Sequence, residues 1–245
     1  MNHFFDTMET ALPGLAMSRF CSAHLAWLVI AVALLAGLTW LYCRLDDRRR
    51  DFLRIALGIA AAGIGLTKQV CLFAAHVWHP AYLPVCFCSF GLLLVILHAW
   101  KNSEFVGNIL YTVYLPLSLA ALIGPYWLVL PAKNFLCWYY FLSHILLAVY
   151  PLMLVAGGTL RPRLHHAPRI AVLSLAVLVP LFTLDATLDL NFFYLMSAPT
   201  GHFIDWFTHH CGSHLVGYPV LLALLFTATY GGYALVRLIF PKKET

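Results

Sequence analysis

Four side chains combine reactivity with a setting in which such groups are costly. Cys88, His144, Lys68 and Asp185 each stand inside a long apolar run. An ionisable residue within a bilayer costs about 2.5–3.5 kcal/mol on insertion scales and marks function by default. The thiolate is the nucleophilic form of cysteine, and a nearby cation or base favours it. His144 is suited to take the Cys88 proton and later to activate or protonate the exchanging oxygen. Asp185 is expected to orient the imidazole, and Lys68 to stabilise the thiolate or the oxyanion of a tetrahedral intermediate. A membrane-embedded thiol with a base is suited to accepting a fatty acyl group as a thioester.

Plainer readings stand beside each of these. Cysteine is among the most buried residue types and often only fills space. A lone histidine can be a hydrogen-bonding strut, and Lys68 can pair with Asp185, since intramembrane charges find each other. Asp189 can be interfacial. The polar groups together can also be glue between helices, but such bonds average only about 0.6 kcal/mol, a weak reason to bury Lys68.

The elements that must position these groups are membrane helices. The chain is 62% hydrophobic and 10% charged, with mean hydropathy +0.83, whereas soluble domains carry roughly 25% charged residues. The expected class is all-α, a polytopic bundle. Residues 1–22 form a mixed polar and aromatic lead-in, and 23–245 a single domain. A span needs about 20 apolar residues, and seven candidates follow: about 23–43, 53–78, 81–100, 105–131, 134–157, 169–192 and 215–239. At about 1.5 Å per residue, Cys88, His144, Lys68 and Asp185 reach a common slab, about 10–16 Å below one surface. Helical spacing puts Ala81, Pro84, Cys88 and Gly91 on one small-residue stripe, with Cys86 turned roughly the opposite way. Cys137, Tyr140, His144, Ala148 and Pro151 share a face, as do Ala61, Gly65, Lys68, Leu72 and Ala75. Pro116, Pro125, Pro151 and Pro180 fall inside spans, which membrane helices tolerate.

The net charge of +5 reflects basic residues gathered between spans, where orientation and anionic lipid explain them; nucleic acid is not an expected partner. Arg44, Arg48, Arg49, Arg50 and Arg54, then Lys101, then Arg161, Arg163 and Arg169, and last Arg237, Lys242 and Lys243 occupy alternate connections. They predict the N-terminus outside and the C-terminus in the cytoplasm. No basic region precedes the first apolar run, so a cleaved signal peptide is not expected. The seven cysteines lie mostly within spans, which argues against a disulfide framework. His202, His209, His210, Cys211 and His214 crowd the connection from Asn191 to His214. Imidazole and thiol suit zinc or copper, but the spacing fits no recognised zinc motif, and neither a metal nor another cofactor is expected.

Leu83-Pro84…Cys88-Ser89, Gly124-Pro125…Pro131 and Tyr139-Tyr140-Phe141-Leu142-Ser143-His144, followed by Asn191-Phe192-Phe193-Tyr194-Leu195…Pro199 and Tyr218-Pro219, form an ordered set. In order and spacing it resembles the YwaF-type integral membrane proteins of bacteria and their animal relatives, the transmembrane acyltransferases of ether phospholipids. The resemblance covers roughly residues 50–240. It implies a seven-helix bundle in which a Cys nucleophile, matched by Cys88, and a His, matched by His144, move acyl chains between lipids. Ser89, Tyr140, Asn191, Tyr194 and Tyr218, all within the matched runs, become candidate substrate contacts. Bacterial members often carry His where this chain has Cys86. The family is distantly similar to membrane hydrolases that act on fatty acid esters with Thr and His.

The expected function is therefore a membrane acyltransferase working on phospholipids or lysophospholipids. The alternatives are a lipid hydrolase with the same Cys/His pair, or a non-enzymatic transporter or metal-handling protein. A short chain without tails points to a bacterial cytoplasmic membrane rather than the endoplasmic reticulum.

Overall fold

The computed structural model describes residues 3–12, 14–125, 129–197, 205–206, 209–210 and 214–239, with the side chains of 214–216 and 239 left aside. The described residues fold as helices, seven of them long and apolar enough to cross a membrane. They are α1 (Ser22–Arg44), α2 (Asp47–Ala74), α3 (Phe87–Lys101), α4 (Glu104–Ile123), α5 (Phe135–Ala156), α6 (Ala167–Leu188) and α7 (His214–Ile239). Short polar side chains define several starts by accepting backbone N–H groups that a first turn leaves over. Asp46 accepts from Arg49 N at 2.9 Å, Ser103 from Val106 N at 3.4 Å, and Asn134 from Leu136 N at 2.8 Å.

The helix α5 is the axis of the bundle. It is apolar on every side, which is the pattern of a helix surrounded by protein, and α1, α2, α3 and α4 all pack against it. Its buried residues run from Phe135 to Leu154 and include Cys137, Tyr139, Tyr140, His144, Ala148 and Pro151. The outer helices α1, α6 and α7 instead present large apolar side chains such as Val29, Trp40, Val172, Val179 and Leu235. Those are the surfaces that lipid must cover.

Two irregularities shape the interior. The expected span 81–100 is helical only in part. A short 3₁₀ turn, Pro80–Tyr82, is followed by non-helical backbone, and α3 begins at Phe87 with Cys86 as its extended N-cap (φ −66°, ψ 157°). Proline cannot donate in a helical turn and disfavours helix in the residue before it, so Pro84 stays outside. The helical stripe from Ala81 through Pro84 to Cys88 is therefore corrected, and with it the orientation of Cys86. The second irregularity is in α4, where Leu110–Tyr114 widen into a π-helical turn just before Pro116, which has no N–H to give. The helix then ends at Ile123, ahead of Gly124-Pro125, rather than reaching residue 131.

The connections segregate to two ends. At one, Arg50 donates to the carbonyls of Tyr42, Cys43 and Gly157, Arg54 to those of His98 and Ala99, and Arg163 pairs with Glu104 at 2.9 Å. The arginine-rich connections thus share one end of the bundle. At the other, the lead-in is tied down: Asn134 Nδ2 donates to the His3 and Asp6 carbonyls, Met17 N to Leu130 O, and the Tyr82 hydroxyl to Glu9.

Close approach of α2 and α3 depends on Gly58, where an added Cβ would lie 2.5 Å from Ala99 Cβ. Gly58→Leu should destabilise the detergent-solubilised protein by about 1–3 kcal/mol through overpacking. Gly63→Leu, where a Cβ meets nothing within 4 Å, should leave the thermal midpoint in place. Equal midpoints for the two variants would contradict this helix pairing.

Candidate active site

The break before α3 places sulfur and backbone oxygen where a continuous helix would offer neither. Because Tyr82 lies outside α3, its carbonyl is free to accept from other parts of the bundle. It takes Lys68 Nζ of α2 at 3.1 Å and Gln69 Nε2 at 2.9 Å. Lys68 is 4% exposed and also donates to Ser89 Oγ at 3.2 Å. Its ammonium lies 4.8 Å from the centre of the Tyr139 ring, a favourable cation–π placement. No ion pair joins Lys68 to Asp185 among the described residues. The buried cation is held by a carbonyl, a hydroxyl and an aromatic face.

Ser89 extends this set to the thiols. Its Oγ lies 2.6 Å from the Tyr139 hydroxyl and 3.0 Å from Cys86 Sγ. Cys88 Sγ is 3.6 Å from that same tyrosine oxygen and 3.7 Å from Cys86 Sγ. The two sulfurs are therefore neighbours, contrary to the opposite facing expected from helical spacing.

His144 approaches from α5. Its Nδ1 lies 2.7 Å from the Tyr140 carbonyl one turn earlier. A carbonyl only accepts, so Nδ1 carries the proton and Nε2 presents a lone pair. Nε2 makes no hydrogen bond to the described residues, which leaves it available as a base. Cys88 and His144 are not hydrogen-bonded to each other. Both line a single cavity of about 490 Å³, together with Lys68, Cys86, Tyr139 and Tyr140. Its remaining walls are largely apolar, with Phe87, Phe90, Leu94, Ile109, Val113, Leu117, Val177 and Leu222 among them. That volume lies in the usual range for small-molecule and lipid sites.

The other expected residues divide. Tyr194, Asn191 and Tyr218 also line the cavity. The Asn191 side chain is engaged in its own loop, donating to Ser197 O at 2.7 Å and accepting from Met196 N at 3.0 Å. The Tyr218 hydroxyl donates to the Phe193 carbonyl, and that of Tyr140 to Ala121 O at 2.6 Å. Burial pushes the Tyr194 phenol well above its ordinary value. Asp185 is not among the residues lining the cavity: one oxygen accepts from Phe192 N at 2.9 Å, and the other is buried without a partner among the described residues. Its position makes it a brace for the loop after α6, while the Tyr140 carbonyl orients the imidazole. Phe193 and Tyr194 adopt positive φ (56° and 58°) on the cavity wall, a conformation that clusters at ligand sites.

Sequence reasoning passed over Tyr139, the hydroxyl joining Ser89 to Cys88, because a helix apolar on all sides gives no face to single it out. It also passed over the lead-in, which contributes Met8 and Glu9 to the cavity. Burial acts to raise the Glu9 carboxyl, but hydrogen bonds from Thr7 and Tyr82 outweigh it and hold the group below its ordinary value. Of the histidine-rich connection, His202 and Cys211 lie outside the described residues, as does the His214 side chain. His210 Nδ1 lies 2.7 Å from the Trp206 carbonyl. No cluster of three or more potential metal ligands occurs among the described residues.

A sequence model described as the TMEM164 family matches residues 19–230. Comparison with curated proteins and with solved structures gives no match.

The cavity predicts a reactivity order. N-ethylmaleimide, which partitions into lipid, should modify Cys86 and Cys88 in the folded protein and spare Cys137, which is 0% exposed. Peptide mass analysis checks this. Modification of Cys137 ahead of Cys88 would mean that the cavity does not admit apolar molecules.

Proposed function

We propose that this chain, which belongs to the TMEM164 family, is a membrane acyltransferase that moves fatty acyl chains between phospholipids through a thioester on Cys88. The observation that carries this reading is the shared cavity. A buried thiol and an imidazole whose Nε2 makes no hydrogen bond to the described residues line one largely apolar cavity. The TMEM164 match agrees with the lipid chemistry suggested by the sequence motifs. It does not carry the bacterial YwaF-type label, and no activity follows from it alone.

In the proposed cycle, Nε2 of His144 removes the Cys88 proton, directly or through a bridging hydroxyl, and the sulfur attacks the ester carbonyl of a phospholipid. The tetrahedral oxyanion collapses as the ester C–O bond breaks. The imidazolium gives its proton to the departing alkoxide, releasing a lysophospholipid and leaving acyl-Cys88. The same imidazole then deprotonates the hydroxyl of an acceptor lysophospholipid, which attacks the thioester carbonyl, and the C–S bond breaks to regenerate the thiol. Lys68, Ser89 and Tyr139 supply the positive charge and hydroxyls beside the sulfurs that favour negative charge there.

The arginine-rich end is assigned to the cytoplasm, in keeping with the positive-inside tendency. The cavity then lies toward the opposite face, near the lead-in. A phospholipid already in the membrane suits such a site better as acyl donor than cytoplasmic acyl-CoA. Water in the acceptor position would turn the same intermediate into a hydrolase.

Incubation with a clickable fatty acyl phospholipid should label wild-type protein and leave Cys88→Ala unlabelled. His144→Ala should slow labelling by roughly 10²–10⁴-fold, the usual worth of a general base. Equal labelling of wild type and Cys88→Ala would refute the proposal. Adding lysophospholipid should shift product from free fatty acid to diacyl lipid; no shift would identify a hydrolase.

A further inference from the structure

The transfer cycle needs one thiol, yet the cavity holds two. Cys86 takes no part in the cycle, and its position has its own chemistry. It is the extended N-cap of α3, so its side chain is not confined by a preceding helical turn, while Cys88 lies in the first turn. Their sulfurs are 3.7 Å apart and both line the cavity. Closing to a bond of about 2.05 Å requires the sulfurs to approach by roughly 1.6 Å, within reach of side-chain rotation at Cys86. Of the described cysteines, this is the one pair with sulfurs in contact, and the pair contains the nucleophile. A bridge between residues so close in sequence closes a tight ring, and strained disulfides are the readily reduced, regulatory ones.

We propose that Cys86 and Cys88 are a peroxide-responsive dithiol whose reversible disulfide withdraws the acyl-accepting sulfur. The disulfide chemistry stands independently of acyl transfer; its consequence for activity rests on the proposed function. In the first step the Cys86 thiolate attacks the terminal oxygen of a hydroperoxide ROOH. The O–O bond breaks, the sulfur becomes a sulfenic acid, and the departing RO⁻ leaves as ROH with a thiol proton. The Cys88 thiolate then attacks the Cys86 sulfur, forming the S–S bond and expelling hydroxide, which leaves as water with the second thiol proton. Two thiols and one ROOH thus give a disulfide, ROH and water, with two electrons passing from sulfur to the peroxide. A dithiol reductant reverses the change by thiol–disulfide exchange.

The switch protects as well as silences. A lone Cys88 oxidised to a sulfenic acid has no adjacent thiol to resolve it and proceeds to the irreversible sulfinic form. With Cys86 beside it, oxidation stops at a state that a thiol can restore.

The test uses the full chain in lipid nanodiscs, exposed to tert-butyl hydroperoxide and then alkylated for peptide mass analysis. The peptide carrying Cys86 and Cys88 should escape alkylation and lose two hydrogen masses, and dithiothreitol should restore both thiols. Acyl-probe labelling should disappear on oxidation and return on reduction. In Cys86→Ser, oxidised Cys88 should instead accumulate as sulfinic acid, with labelling that reductant does not recover. Full alkylation of the pair at peroxide levels that oxidise the exposed Cys43 would overturn the proposal, as would equal recovery in wild type and Cys86→Ser. A disulfide that left acyl labelling unchanged would overturn its regulatory role. If the disulfide forms but untreated protein takes no acyl probe, the dithiol proposal stands and the transfer reading fails.

Discussion

An ammonium group below the apolar surface of a bilayer must be satisfied by protein, because neither lipid nor bulk water is there to do it. In this bundle Lys68 meets that requirement at the Tyr82 carbonyl, Ser89 Oγ and the Tyr139 ring. Those contacts join α2, α3 and α5 at one point. They also explain why non-helical backbone between Tyr82 and Cys86 is tolerated at that depth. Irregular backbone survives inside a membrane where protein buries it or where it lines a cavity; here Tyr82 is buried, and Tyr82 and Cys86 line the cavity. Without the lysine, the Tyr82 carbonyl would keep only the Gln69 amide, and Ser89 would lose the donor facing the thiols.

From that point the cavity is built outward. The hydroxyls of Ser89 and Tyr139 relay polarity from the ammonium to the sulfurs, and α5 carries His144 to the same space. The π-helical turn of α4 brings Val113 and Tyr114 to the wall. Tyr114 stacks on Phe87 with centroids 4.4 Å apart and covers Gly91, where a Cβ would fall 2.4 Å from its ring. The lining thus combines a few polar groups with a mostly aliphatic and aromatic wall, a mixture that suits an ester with a long hydrocarbon tail.

Much of this was legible in the sequence, and the parts that were not share a cause. Hydropathy located all seven helices, because each long apolar run has to be covered by lipid or protein. Cys88, His144 and Lys68, which the sequence grouped by depth, line one cavity; depth depends only on counting residues from a helix end. Facing depends on an unbroken register, and there the reading failed. Pro84 interrupts the helix, so Cys86 is turned beside Cys88 rather than away from it. Asp185 does not line that cavity and spends one oxygen on Phe192 N–H, a use that no spacing rule reveals. Tyr139 went unnoticed for the opposite reason, since α5 is apolar on every side and periodicity carries no information there.

The central claim is that the thiol, the imidazole and an acyl chain share one cavity. An experimental structure of the unaltered protein after incubation with excess phospholipid and no added acceptor would test it most directly. The account predicts density for a hydrocarbon chain running along Phe90, Leu94 and Leu117 and joined through a carbonyl to Cys88 Sγ. A cavity occupied by lipid with no bond to Cys88, or a Cys88 sulfur directed away from it, would contradict the account.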